Sequence, residues 1–360
     1  MHKSNNHLII KIIIALMIGL GNVYTNAGQT GGNKKPESCA TGILVINLDP
    51  VVISAENKRL HEVVRELTSF LGYDPKYLAS ALISDMDKAT GGKVRFVIKE
   101  WIDLNEMPKS VSNEHYKNPE NYIADFKTAL KWGKNYWAWP GWKEGESDFD
   151  SDHYIKKYNV FDRVNKGEIN QVWFFMPPNC KARAYESQMI GNQAYWCNAP
   201  PVQSGNVKPF MVFYFSYERE EGCALENMGH AFESIMQHLY GRWDYNISLP
   251  QMNTWEKFTL YDKVKPGEAA CGNVHFAPNS IKDYDWGNKT KVTSNYLEWV
   301  NYPKCENKKE LVDCSVWGNG DMRLHHLWWF SCIPKAEGKD ADGTFKNWWE
   351  YFIKPELAKR

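Results

Sequence analysis

The sequence predicts an α/β protein: a single large domain with a central sheet and a long, irregular, disulfide-tied C-terminal half. Three observations predict it. Apolar runs at 43–48, 93–99, 170–176 and 208–216 have strand length and strand patterning. Segments with helical spacing separate the first two of them. Eight cysteines follow an export signal, the usual setting for disulfides.

The elements come in chain order. Lys3 and Lys11 flank an apolar run at 12–20, too short to span a bilayer. Thr25-Asn26-Ala27 then supplies small residues at cleavage spacing, so residues 1–27 read as a signal peptide. Residues 28–40, rich in Gly, Lys, Asn and Pro, read as a flexible leader, and 41–360 as the domain. The run 43–48 ends at Asp49-Pro50 and reads as a buried strand. Leu60, Val63, Val64, Leu67 and Leu71 share a helical face, and Gly72 stops that helix. Residues 75–89 read as a second helix, Gly91-Gly92 as a turn, and 93–99 alternates like a strand. The charged stretch 143–166 reads as a surface excursion with a short helix. The runs 170–176 and 208–216 are nearly continuously apolar, as expected of strands covered on both faces. A helix over 226–241 follows, then loops, short helices and many tryptophans.

Acidic and basic residues balance at 43 each, so no global field favours nucleic acid or an anionic membrane. No later segment is apolar enough to cross a membrane once the signal is removed. The 16 Trp and 19 Tyr suit a core or a surface that stacks on sugars or peptides. Cys180–Cys197 and Cys305–Cys314 are the shortest loop closures available to disulfides. The sequence has no Cys-x-x-Cys pair, Gly-x-Ser-x-Gly elbow or phosphate-binding glycine loop.

The helix at 226–241 carries the sharpest chemical signal. Leu225, Met228, Phe232, Ile235, Met236 and Leu239 form one face; Glu226, His230, Glu233, Ser234 and Gln237 form the other. His230 and Glu233, three residues apart, can reach one point. An imidazole and a carboxylate so placed suit zinc. His275, in a turn-rich segment, is the expected third ligand, and Glu226 the expected base. Open α/β sheets place pockets beyond the carboxyl ends of their strands. Glu186, Arg219 and Asp285 are therefore expected to line the pocket, with Arg219 orienting a carboxylate or an oxyanion. His325-His326 could add a ligand or a proton carrier. Asp283 and Asp285 would suit glycosidic chemistry, a calcium site or a turn. Asp148-Phe149-Asp150-Ser151-Asp152 begins like a calcium loop, but His153 and Asn159 replace the glycine and glutamate an EF-hand needs.

Several segments together resemble a family of secreted microbial proteins. They are Tyr185-Glu186-Ser187-Gln188-Met189-Ile190-Gly191, Tyr195-Trp196-Cys197-Asn198, Phe215-Ser216-Tyr217-Glu218-Arg219, Gly229-His230-Ala231-Phe232-Glu233-Ser234, Cys271-Gly272-Asn273-Val274-His275-Phe276-Ala277-Pro278-Asn279, Asp283-Tyr284-Asp285-Trp286-Gly287 and His325-His326. The resemblance covers roughly residues 41–350. It implies export and one large domain, and it supplies no mechanism.

The expected function is a secreted, extracellular or periplasmic, zinc-dependent hydrolase acting on peptide or cell-envelope polymer. A carbohydrate-active protein and a structural or adhesive protein are the alternatives.

Overall fold

The computed structural model describes residues 39–68, 74–131, 148–178, 180–217 and 219–359. The expected signal peptide lies outside them. The strands are β1 Cys39–Leu48, β2 Val51–Val52, β3 Lys58–Arg59, β4 Val94–Leu104, β5 Gln171–Met176, β6 Ser187–Gly191, β7 Val202–Gln203, β8 Phe210–Ser216, β9 Val292–Ser294, β10 Glu310–Val312, β11 Lys335–Lys339 and β12 Phe345–Asn347. The helices are α1 Leu60–Leu67, α2 Pro75–Thr90, α3 Pro119–Leu130, α4 Ser151–Lys157, α5 Val160–Asn165, α6 Glu221–Tyr240, α7 Thr254–Phe258, α8 Tyr296–Val300, α9 Met322–Cys332 and α10 Trp349–Ile353.

Six strands form the central sheet in the order β4-β1-β5-β8-β6-β7. The first four are mutually parallel, and β6 runs antiparallel beside β8. The four apolar runs of the sequence are the four parallel strands. Strand β1 begins at Cys39, inside the segment expected to be a flexible leader. Strand β6 is not marked by a long apolar run. It pairs Ser187 with Phe213, halfway along β8, and runs back from there to the start of that strand.

Strands β5 and β8 are buried on both faces because aromatic layers cover each side. On one side Phe174 stacks on Tyr214 at 5.6 Å, and Phe149 and Tyr154 close over Phe174. On the other, Phe213 meets Phe352 of α10, which meets Phe232 of α6. Burying one such ring contributes about 1.5–3 kcal/mol. Most of the described tryptophans belong to this and adjoining packing; Trp196 is the exposed one among them, at 58%. The tryptophan content therefore chiefly supports the core.

Helix α9 is tied to α2 and α6 by Arg323. Its guanidinium grips Asp85 through two bonds of 2.7 and 3.0 Å and reaches Glu221 at 3.5 Å. Asp85 is 1% exposed. Arg323→Ala would strand that carboxylate, and a broken buried pair costs about 3–5 kcal/mol. The guanidinium is partly exposed, so a loss of about 3 kcal/mol is expected. It would be read as a lower urea midpoint at unchanged slope. An unshifted midpoint would show that the pair carries no such weight.

The disulfide framework expected from the cysteine count is corrected by the structure: all seven cysteines with described side chains are free thiols. Strand β6 intervenes between Cys180 and Cys197. The Cys180 thiol faces the Ala182 carbonyl, whereas Cys197 is held against Met211 and the Ala231 carbonyl of α6. Cys305 and Cys314 turn to Glu298 and Asn319 respectively. The thiols that do meet are those of Cys271 and Cys332, both fully buried.

Candidate metal centre

Strand β8 delivers the chain through Tyr217 and Arg219 into α6, placing the first turns of α6 beyond the carboxyl ends of the parallel strands. The polar side of α6 is enclosed: Glu226 is 3% exposed and Glu233 7%. The helix starts at Glu221, five residues before the 226 start read from the sequence. What covers its polar side is the turn 272–276. There Asn273 N–H donates to the Phe276 carbonyl at 2.8 Å, and Phe276 N–H returns a bond at 3.2 Å. Gly272 adopts φ +68°, and a Cβ on it would lie 2.0 Å from the Phe276 carbonyl oxygen. Gly229 lets the turn approach α6, since a Cβ there would lie 2.5 Å from Val274 Cγ2.

This packing brings three ligand atoms together. His275 Nε2 lies 3.1 Å from Glu226 Oε1 and 3.1 Å from His230 Nε2, and the last two are 3.9 Å apart. Among the described residues this is the one group of three or more metal-ligating His, Cys, Asp or Glu side chains. A tetrahedral zinc ion with bonds of about 2.0–2.1 Å needs ligand atoms about 3.3 Å apart. The observed separations bracket that edge.

Each imidazole is aimed by a carboxylate behind it. His230 Nδ1 is 3.0 Å from Glu233 Oε2, and the other Glu233 oxygen accepts the Val274 N–H at 2.9 Å. His275 Nδ1 is 3.1 Å from Asp283 Oδ1. With Nδ1–H donated outward, both rings turn an Nε2 lone pair to the common point, as metal-binding histidines do. Glu233 thus stands behind His230, and Glu226 occupies the place expected for it among the ligands. Both are within helical reach of His230; the covering turn selects between them.

The charges match this arrangement. Burial opposes a proton on His230, but the bond to Glu233 and the charges of Glu233, Glu186 and Glu226 outweigh it and lift its pKa to about 9. Burial also works against ionised Glu226, but His275, Arg219 and the nearby imidazoles hold it at about 2. A negative pocket that retains a proton where a cation would bind suits a divalent metal.

Arg219 does not point to open space. Its guanidinium bonds Glu186 at 3.0 Å, Asn227 at 3.4 Å and Glu226 Oε2 at 3.2 Å. It therefore clamps two carboxylates. Asn198 holds the second oxygen of Glu186 at 2.9 Å. Glu186, Arg219, Tyr185 and Ser216 line a cavity of about 150 Å³ at the ends of β5 and β8. A larger cavity of about 600 Å³ opens at the opposite ends of β6 and β8, around Asn192, Tyr195, Lys208 and His238. Neither cavity is lined by the clustered ligands themselves; the smaller one is joined to them through Arg219, which lies on its wall and bonds Glu226.

The remaining sequence candidates fall elsewhere. Asp285 accepts from Ile281 N–H and Asn288, which makes it a turn residue, and it shares no partner with Asp283. His326 is fully buried, with Nδ1 3.0 Å from the Gly222 carbonyl and Nε2 3.3 Å from that of Val274. Burial outweighs its neighbours and lowers its pKa to about 4; the neutral ring has one N–H and so donates to only one of these two carbonyls, while it packs between α6 and the turn. His325 is stacked on Trp286 at 5.2 Å. The calcium-like segment spends its carboxylates locally: Asp148 on Ser112, Asp150 on the N-terminus of α4, Asp152 on Lys156. Tyr284 was not among the expected site residues, yet its hydroxyl lies 3.0 Å from Glu226 Oε1 and 3.1 Å from His275 Nε2.

Comparison with protein-family models, curated proteins and solved structures gives no match. Function must therefore be argued from the site.

Proposed function

We propose that this protein is a zinc-dependent hydrolase that acts on an extracellular polymer, peptide or cell-envelope material. The convergence of Glu226 Oε1, His230 Nε2 and His275 Nε2 carries the reading, with both imidazoles anchored by carboxylates. Two nitrogens and one carboxylate oxygen are a set that zinc takes in catalytic sites. Calcium would require six to eight oxygens.

Three protein ligands leave a fourth position for water or substrate. A zinc ion held there by Glu226, His230 and His275 would lower the pKa of a bound water to about 7 and polarise a carbonyl. The chain's own residues supply the rest. Glu226 would be a ligand in this arrangement and so would not serve as the base. Glu186, on the wall of the adjoining cavity, is the carboxylate that remains to take a proton from water. Arg219 fixes the spacing between Glu186 and Glu226. The buried His326 ring packs between α6 and the turn that carries His275.

The test is metal analysis of the purified protein. One zinc per chain is expected. A chelator should remove the ion and stop hydrolysis of a peptide or cell-wall panel, and added zinc should restore it. A protein that binds no metal, and whose stability a chelator leaves unchanged, would overturn the proposal.

A further inference from the structure

We infer that Tyr284 is a fourth, exchangeable ligand of this centre, closing it at rest and yielding its place to an incoming oxygen donor. The inference rests on the metal reading above and adds a ligand to it.

The geometry is the argument. The phenol oxygen stands 3.0 Å from Glu226 Oε1 and 3.1 Å from His275 Nε2. With the three separations already given, five edges of a four-atom figure measure 3.0–3.9 Å. A tetrahedron of zinc ligands has edges of about 3.3 Å.

The backbone is arranged to put the phenol there. Tyr284 adopts φ +55°, a left-handed conformation that costs an aromatic residue about 1–2 kcal/mol. Its N–H donates to the His275 carbonyl at 3.2 Å. Its ring lies on the His275 imidazole at 4.4 Å and against Trp286 at 5.1 Å. On either side, Asp283 grips the His275 ring and Asp285 accepts the Ile281 N–H. The strained residue sits between two tethered neighbours, as strain retained at a working site does.

Exchangeability follows from exposure. Tyr284 is 48% exposed, while Glu226 beneath it is buried. The phenol can swing outward without breaking the core. In the chemical step the phenolic O–H bond breaks, its proton passes to water, and an oxygen–metal bond forms. When a substrate oxygen takes the position, that bond breaks and the phenolate regains a proton from water. No electrons are transferred.

The experiment uses the full mature chain, freed of metal and loaded with one equivalent of Cu²⁺ as a spectroscopic probe, beside the variant Tyr284→Phe. The parent should show a phenolate-to-copper charge-transfer band. Raman excitation within it should enhance tyrosinate ring vibrations, which separates it from copper on a thiol. Tyr284→Phe should bind copper and lack both signals. Acetohydroxamate, a bidentate oxygen ligand, should bleach the parent's band while the copper stays bound. Identical spectra in parent and variant would overturn ligation by Tyr284 and leave the three-ligand centre standing. A band that hydroxamate leaves intact would overturn exchange. Failure of the parent to bind copper or zinc would overturn the metal reading itself.

Discussion

The variant His230→Ala is expected to bind zinc more than about 100-fold more weakly than the parent and to lose hydrolytic activity with it. Removing a carboxylate that merely orients a ligand costs about 10–100-fold in metal affinity. Losing the ligand should cost more. His230 supplies one of only three His or Glu ligand atoms at the common point. Glu233→Gln is the graded companion. The amide oxygen can still accept the His230 Nδ1–H, so a loss near the lower limit, about 10-fold, is expected. Titration against a competing chelator measures both. Equal affinities for parent and His230→Ala would place the metal elsewhere. A larger loss for Glu233→Gln than for His230→Ala would make Glu233 the ligand.

Gly272→Ala is expected to remove about 2–4 kcal/mol of stability, a large effect for one methyl group. Two penalties combine. The residue sits at φ +68°, and the new Cβ would meet the Phe276 carbonyl oxygen at 2.0 Å. That oxygen belongs to the backbone and already accepts the Asn273 N–H, so only movement of the turn relieves the clash. The Gly272 carbonyl also receives the Trp329 indole N–H at 3.1 Å. Because the same turn presents His275, metal affinity should fall alongside stability. Gly343→Ala is the control. Its φ is +86° with nothing within 4 Å of a built Cβ, so it isolates backbone strain at about 1 kcal/mol. Urea midpoints for the two variants separate clash from strain. Equal shifts would show that the turn is not tightly packed on its glycine.

Three of the four parallel strands were legible because burial on both faces leaves an apolar run, as at 171–176 and 210–216; β4, partly exposed, was legible from the alternation at 93–99. Strand β6 was not. Ser187 opens it, Gly191 ends it, and its place depends on pairing with β8. Helix α6 was read five residues short. Its first turn contains Gly222, a weak helix former whose missing Cβ leaves room for α9: a Cβ there would lie 2.9 Å from Met322 Cγ. His230 and His275 could be named from the sequence by residue type and setting. The choice between Glu226 and Glu233 could not, because both lie within one helical turn of His230. The distant 272–276 turn decides it by donating the Val274 N–H to Glu233. The cysteine count suggested cross-links, but in the two closures favoured by sequence distance each thiol faces a different partner.

The ligands at 226 and 275 stand 49 positions apart along the chain. A nascent polypeptide that has emerged only as far as α6 owns two of the three candidate ligand atoms, and the scaffold that steadies the third extends to Trp329. If the centre takes a metal, loading must wait until the chain has been made at least that far; were the protein then exported unfolded, the ion would come from the destination compartment and not from the pool where the ribosome works.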